Sequence, residues 1–450
     1  MTATPKILEL NAFDMDDTAG LDPAVAELVA RRKRTFGPTS MLFYERPLNL
    51  VRGEGVWLID ADGSRYLDAY NNVPSVGHCN ARVVEAVSRQ MATLNTHSRY
   101  LYDIVYTYSE KLLATYPKEL SNIVYVCTGS EGIDLAMRIA RTVTGGTGFI
   151  ATDNAYHGNT SAVTEISPSS ASTDAPNPNV FFVPAPDTYR LGAEAAAAKF
   201  NADVRAAIAT MHERGIKLAA FIADSIFSSD GVFSVVPGFL KETLAAVHGA
   251  GGLYIADEVQ PGFGRTGEAM WGFMRHGIVP DMAVMGKPMG NGFPIGGVVV
   301  KPDILQLFGS QNGYFNTFGG NPVAAAAGLA VLEAIEADGL QENARATGAY
   351  LAERLSYLSQ RHDAVGDVRG VGLYVGVEIV TDQQSRTPDK AATTAAVNGM
   401  RERNVLVGTA GKHGNVIKIR PPLCFNRENA DALVTALSDS LAAYADRKRR

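Results

Sequence analysis

Short apolar runs alternate with segments of helical periodicity through the middle of this chain. Val124-Tyr125-Val126, Phe149-Ile150-Ala151 and residues 218–223, 253–256, 282–285 and 297–300 each read as a buried strand. Alternation of this kind predicts an α/β fold with a mostly parallel sheet between helices. Ahead of it, Asp22-Pro23 is a helix start, with Val25, Leu28 and Val29 following at helical spacing. Residues 50–70 read as a hairpin, with Val56, Leu58 and Ile59 before an Asp62-Gly63 turn and Tyr66 and Leu67 after it. Residues 167–178, rich in Ser, Pro, Asp and Asn, read as a surface loop. Beyond an alanine-rich helix around Ala324, residues 370–379 and 416–419 read as strands separated by helical sequence, and a last helix covers about 428–445. The pattern divides the chain into residues 1–75, a helix and hairpin that join a small domain; 76–330, a large domain; and 331–450, a smaller α+β domain.

A length of 450 residues suits such a two-part organisation. The net charge of −6 argues against a nucleic-acid partner. The basic runs Arg31-Arg32-Lys33-Arg34 and Arg447-Lys448-Arg449-Arg450 each close a predicted helix, where positive charge complements the dipole. Three cysteines, Cys79, Cys127 and Cys424, fit a reducing compartment without structural disulfides. No secretory signal is visible at the start, and the apolar stretch at 322–334 is broken by Gly328 and reaches Glu333 before it could span a bilayer. The expectation is a cytoplasmic protein with no membrane partner.

Five stretches carry candidate chemistry. Val124-Tyr125-Val126-Cys127 leads into Thr128-Gly129-Ser130-Glu131-Gly132 and then a helix, an arrangement that offers amides and a hydroxyl to an anion such as phosphate. In Asn154-Ala155-Tyr156-His157-Gly158, an aromatic beside a glycine can lie flat on a planar ligand. Tyr254-Ile255-Ala256-Asp257-Glu258-Val259-Gln260 ends a strand in an acid, and about thirty residues later Met282-Ala283-Val284-Met285-Gly286 ends at Lys287. An Asp for a pyridine nitrogen and a Lys for a Schiff base are what pyridoxal phosphate chemistry needs. A lone lysine is by default a solvated charge. Of the thirteen lysines, however, only Lys287 and Lys301 directly follow an apolar strand-like run, and Lys301 leads into an ordinary helix start, Pro302-Asp303. Thr317, in Phe315-Asn316-Thr317-Phe318-Gly319-Gly320, could cap a phosphate; Arg420, in Ile417-Lys418-Ile419-Arg420-Pro421-Pro422, could clamp a substrate anion.

Taken together, these stretches resemble the class III aminotransferase family of fold-type I pyridoxal phosphate enzymes, from about residue 36 to residue 443. The segment Asp257-Glu258-Val259-Gln260 to Gly264-Arg265-Thr266-Gly267, with its spaced lysine, is highly specific. The resemblance implies that Gly129 and Ser130 hold the cofactor phosphate, that Tyr156 stacks on the ring with His157 beside it, and that Asp257 pairs with the ring nitrogen. It further places Val259 under the ring, Gln260 near the ring oxygen and Lys287 at the Schiff base. It makes Thr317 a phosphate ligand supplied by the other subunit of an obligate homodimer, and Arg420 the grip on the substrate anion. Within the family, Asn71-Asn72-Val73 with Val76-Gly77-His78-Cys79, residues 94–101 and Glu165-Ile166-Ser167-Pro168 resemble the ethanolamine-phosphate phospho-lyase branch. That branch removes phosphate and ammonia from phosphoethanolamine to leave acetaldehyde.

Phosphoethanolamine has no carboxylate, so its phosphate needs the anion clamp. Arg420 is the first candidate, with Asn72, Arg99, Lys412 and His413 as further substrate contacts. A class III transaminase of the amine:pyruvate or alanine:glyoxylate type is the alternative activity, because both routes begin with the same proton abstraction. A non-catalytic binding module of the same fold is the third reading; it leaves the lysine without a chemical purpose. Two departures from the family pattern stand out: Gly132 and Ile133 follow Glu131, and Asp224 occupies the place of a family glutamate ahead of the Asp257 strand.

Overall fold

The computed structural model describes residues 10–170, 176–234 and 236–449. Its centre is a seven-stranded sheet in the order Asn122–Val126, Gly296–Val300, Met282–Met285, Leu253–Asp257, Leu218–Ala223, Gly148–Thr152, Val180–Val183. Gly296–Val300 runs antiparallel to both its neighbours, and the other neighbouring pairs are parallel. The apolar runs expected as strands all lie in this sheet. Val180–Val183 escaped the sequence reading because it is short, edge-located and only partly buried. Helices on both faces bury the strands, which are almost wholly inaccessible from Leu218 to Ala223 and from Met282 to Met285.

The expected N-terminal hairpin is a three-stranded meander, Leu50–Glu54, Trp57–Asp60 and Arg65–Asp68, closed by the parallel strand Val405–Leu406. Residue 56 lies in the first turn rather than in a strand, because Gly55 takes a positive φ of 57° and reverses the chain there. A four-stranded sheet follows: Val365–Val371, Tyr374–Ile379, Val416–Ile419 and Gly408–Ala410. Here too one expected strand, 370–379, is two, turning at Gly372. The last helix, Arg427–Arg449, is longer than expected at its C-terminus.

The opening helix Pro23–Phe36 begins as read, with Asp22 accepting from the Ala24 amide at 2.9 Å, and Lys33 and Arg34 close it. The second basic run closes the final helix through Arg449; Arg450 lies outside the described residues, as do residues 1–9. Of the expected surface loop at 167–178, residues 171–175 lie outside the described residues. Its beginning is not surface at all: Ser167 and Ser169 are buried. The Ser167 hydroxyl accepts from the His157 amide at 3.0 Å and Ser169 donates to the Ala155 carbonyl at 2.8 Å. Polar composition pointed outward, whereas these hydroxyls satisfy the backbone of an irregular buried segment. No helix among the described residues is long and apolar enough to cross a membrane.

Candidate active site

Four parallel strands deliver the candidate residues to one edge of the sheet. Asn122–Val126 leads into the Thr128 to Glu131 turn, Gly148–Thr152 precedes Tyr156 and His157, Leu253–Asp257 ends in its acid, and Met282–Met285 stops two residues before Lys287. The carboxyl edge of a parallel sheet is where an open α/β fold collects ligand groups.

Glycines hold these turns together. A Cβ on Gly286 would lie 3.0 Å from the Gly129 amide nitrogen, and one on Gly129 would lie 2.8 Å from Val259 Cγ2. The lysine turn, the anion turn and the valine are thus in contact. Thr128 caps the helix Gly129–Thr144 by accepting from the Glu131 amide at 3.1 Å. The first-turn amides of Gly129 and Ser130 are left without an intrahelical partner, which suits an anion.

A cavity of about 320 Å³ is lined by Gly129, Ser130, Tyr156, Asp257, Gln260 and Lys287, with His157 and Val259 also on its wall. Asp257 and His157 are both buried and joined at 2.7 Å through His157 Nδ1, while the Val259 amide donates to the other Asp257 oxygen at 3.1 Å. His157 Nε2 is buried with no partner among the described residues. Burial, and then the Arg420 charge, push the Lys287 amine down to about 8, against the opposing pull of Asp257 and Asp224. Lys287 is thereby shifted toward the neutral, nucleophilic form. Asp224 accepts from the Ile226 amide at 2.9 Å and from the Ser228 hydroxyl at 2.8 Å; burial and the nearby Asp257 raise its carboxyl above the usual range.

A second cavity of about 160 Å³ shares Tyr156, Gln260 and Lys287 with the first and is lined further by Tyr70, Lys418 and Arg420. Arg420 donates to Asn72 Oδ1 at 2.9 Å and to Gln260 Oε1 at 2.6 Å, Asn72 donates to Gln260 at 2.7 Å, and the guanidinium lies 4.7 Å from the centre of the Tyr70 ring. Sequence reasoning missed Lys418. It is 4% exposed, its amine forms no hydrogen bond or ion pair among the described residues, and burial with the Arg420 and Lys287 charges pushes that amine well below the ordinary lysine value. A signal was present: Lys418 and Arg420, two residues apart across Ile419, must share one face of the strand at Val416–Ile419.

The remaining candidates lie elsewhere. Arg99 is exposed, its guanidinium 4.1 Å from the centre of the Phe315 ring, and it lines neither cavity. Lys412 pairs with Asp153 at 2.8 Å and borders, with His413, a separate cavity of about 200 Å³. Thr317 is exposed on the loop after Gln311 and does not line the cavities of its own chain. Lys301, as expected of a helix start, pairs with Asp281 at 2.7 Å.

Comparison with known proteins places this geometry. The profile of the family Aminotransferase class-III matches residues 43–441, and the chain belongs to that family. Its fold is the fold-type I architecture of that family and its cofactor is pyridoxal 5'-phosphate. The chain is 42% identical over 432 residues to an alanine–glyoxylate aminotransferase 2-like protein of Drosophila melanogaster, covering 93% of this chain and 87% of the relative. It is 36% identical over 435 residues to ethanolamine-phosphate phospho-lyase homolog 1 of Caenorhabditis elegans, covering 92% and 93%. Among solved structures it resembles a phospholyase from Arthrobacter in complex with phosphoethanolamine, with TM-score 0.89, 45% identity, and coverage of 92% of this chain and 99% of that one.

The residues present fit the cofactor. The helix N-terminus at Gly129 can take a phosphate, the buried Asp257 can face a protonated ring nitrogen, and Lys287 opens onto the same cavity.

Proposed function

We propose that this chain is a lyase that removes phosphate and ammonia from O-phosphoethanolamine to leave acetaldehyde. The observation that carries this reading is the pair of buried basic side chains, Lys418 and Arg420, on the wall of the cavity that also holds Lys287; a bound phosphate would draw Lys418 back to its charged form. A single guanidinium matches a carboxylate, whereas a phosphate ester carrying about −1.5 to −2 charge calls for a second cation. The Arthrobacter phospholyase with phosphoethanolamine bound supports the same substrate class.

Pyridoxal phosphate, when bound, supplies the electron sink that lets a proton leave the carbon bearing the amine. Gly129 and Ser130 would hold its phosphate, Tyr156 and Val259 would face its ring, and Asp257, oriented by His157, would keep a proton on its ring nitrogen. Lys287, shifted toward its neutral form, would remove the proton from the amine-bearing carbon of the substrate. Lys418 and Arg420 hold the phosphate on the neighbouring carbon and stabilise it as it departs, so that the C–O bond breaks with the electron pair leaving on phosphate. Asn72 and Gln260 brace Arg420 for this role. The two-carbon enamine left behind takes a proton on its terminal carbon, and the resulting imine is hydrolysed by water to acetaldehyde and ammonia.

The resemblance to an alanine–glyoxylate aminotransferase 2-like protein favours transamination as the second reading, in which Lys287 would serve as acid as well as base. Release of inorganic phosphate and acetaldehyde from phosphoethanolamine without any keto acid tests the proposal. Amine transfer to pyruvate or glyoxylate with no phosphate release would overturn it.

The second subunit belongs to the proposal as well. Leu101 and Phe318 are 88% and 70% exposed, and Tyr100 and Phe315 are exposed nearby on the segments that carry Arg99 and Thr317. Large exposed apolar groups beside a residue that does not reach its own cavity support a homodimer in which Thr317 serves the partner's cofactor phosphate. The sparse cysteines, all unpaired, support a cytoplasmic setting.

A further inference from the structure

Glu131 and Asn316 connect two parts of the chain that serve different sites in the proposed dimer. Glu131 lies in the anion turn, where its Oε2 accepts from the Cys127 amide at 2.8 Å. The same oxygen accepts from Asn316 Nδ2 at 3.2 Å. The other end of the Asn316 amide, Oδ1, accepts from the Phe318 amide at 3.1 Å and the Gly319 amide at 2.9 Å. One side chain therefore folds the turn that carries Thr317 and ties it to the anion turn.

The base of that loop has no room to shift. A Cβ on Gly319 would lie 2.6 Å from the Tyr125 carbonyl oxygen, and one on Gly320 would lie 2.9 Å from the Tyr125 ring. Tyr125 is held by Ser109 at 2.7 Å and sits two residues before Cys127, on the strand that feeds the anion turn. Thr317 is thus the exposed tip of a loop with one foot on the anion turn of its own subunit and the other on the strand that feeds that turn.

We propose that Asn316 and Glu131 are positioning residues through which the anion turn of one subunit sets cofactor retention in the other. The inference rests on the dimer reading, in which the Thr317 tip reaches across. An Asn316 that holds the tip from its own subunit acts in trans, whereas a merely local structural role acts in cis.

Mixed dimers separate these cases. Lys287→Ala in one subunit leaves the absorbance of the lysine-bound cofactor to report the other site alone. Asn316→Asp keeps the two amide contacts to Phe318 and Gly319 but sets a carboxylate against Glu131. Placed in the Lys287→Ala subunit, it should speed loss of pyridoxal phosphate from the intact partner site about tenfold, the scale of one hydrogen bond to a charged group. Placed instead in the subunit that keeps Lys287, it should cost retention less than it does in the silent subunit. Adding Glu131→Gln beside Asn316→Asp in the silent subunit removes the like-charge contact, and because one side-chain atom there must still accept from the Cys127 amide, it should restore retention in part. Loss only in cis, no change in either arrangement, or failure of the swap to rescue would overturn the inference. Thr317→Ala in the same arrangements is the control: no effect in trans, or a chain that sediments as a monomer, would sink the dimer reading itself. A trans effect of Thr317→Ala without one from Asn316→Asp removes only the positioning link.

Discussion

Replacing Gly158 with alanine tests how the aromatic turn and the anion turn are locked together. Gly158 has a φ of 148°, outside the range that residues with a Cβ adopt readily. Its added methyl would lie 2.6 Å from Ser130 Oγ and 2.8 Å from both Ser130 Cα and Cβ. The hydroxyl could rotate away, but the Cα cannot move without shifting the first turn of the helix Gly129–Thr144. Backbone strain costs about 1–3 kcal/mol and forced overpacking about 1–3 kcal/mol more. If only about 2 kcal/mol of this falls on the cofactor-bound form, pyridoxal phosphate binds about thirtyfold more weakly. Titration of apo-protein with pyridoxal phosphate, followed by absorbance, reads this directly. Gly192→Ala is the control, because Gly192 has a φ of 81° with nothing within 4 Å of the added atom; it carries strain without overlap and should leave cofactor affinity alone. A Gly158→Ala protein that binds the cofactor as tightly as wild type would refute the locking of these two turns.

Three further outcomes are expected. Capture of pyridoxal phosphate by the apo-protein should accelerate as pH passes through about 8, where Lys287 loses its proton, rather than near the 10.5 of an ordinary lysine; Arg420→Gln should move that midpoint up, and an unmoved midpoint would show that Arg420 does not act on the lysine. Lys418→Met, which keeps the stem and removes the charge, should raise the KM for phosphoethanolamine at least about tenfold with cofactor affinity unchanged; an unaltered KM would place the substrate anion elsewhere. Glu258, which accepts from the Gly272 and Phe273 amides at 2.7 and 2.9 Å, is pushed up to about 8 by burial. Its folded pKa lies above the unfolded 4.5, so its contribution to stability is present below pH 4.5 and is lost as pH rises toward 8. Urea unfolding across that window should show a flatter pH dependence in Glu258→Gln, and equal slopes in both proteins would contradict the burial effect.

Much of this protein was legible in one dimension because its chemistry is attached to strand ends. Asp257 and Lys287 announce themselves as charges terminating apolar runs, and parallel strands must end on one edge, so the convergence of Gly129, Tyr156, Asp257 and Lys287 follows from topology. Helix caps were equally readable, as at Asp22. Composition misled at residues 167–169, where serines read as solvent-facing turn formers fill the hydrogen-bond needs of a buried segment. It also misled at residues 50–70 and 370–379, where a single glycine with positive φ divides what periodicity alone joins.

The sequence by itself determined the sheet and the cofactor class and singled out Lys287, because each depends on local periodicity or on short spacings along the chain. Only the tertiary structure decided which basic side chains share a cavity with Lys287. Lys418 and Arg420 lie more than 130 positions from Lys287 and come to share a cavity with it from the sheet that contains Val416–Ile419, while Arg99 and Lys412, equally basic in the sequence, are carried to other surfaces. The physical reason is that a charge's neighbours across space are set by how sheets and loops pack, and one-dimensional spacing holds no record of that.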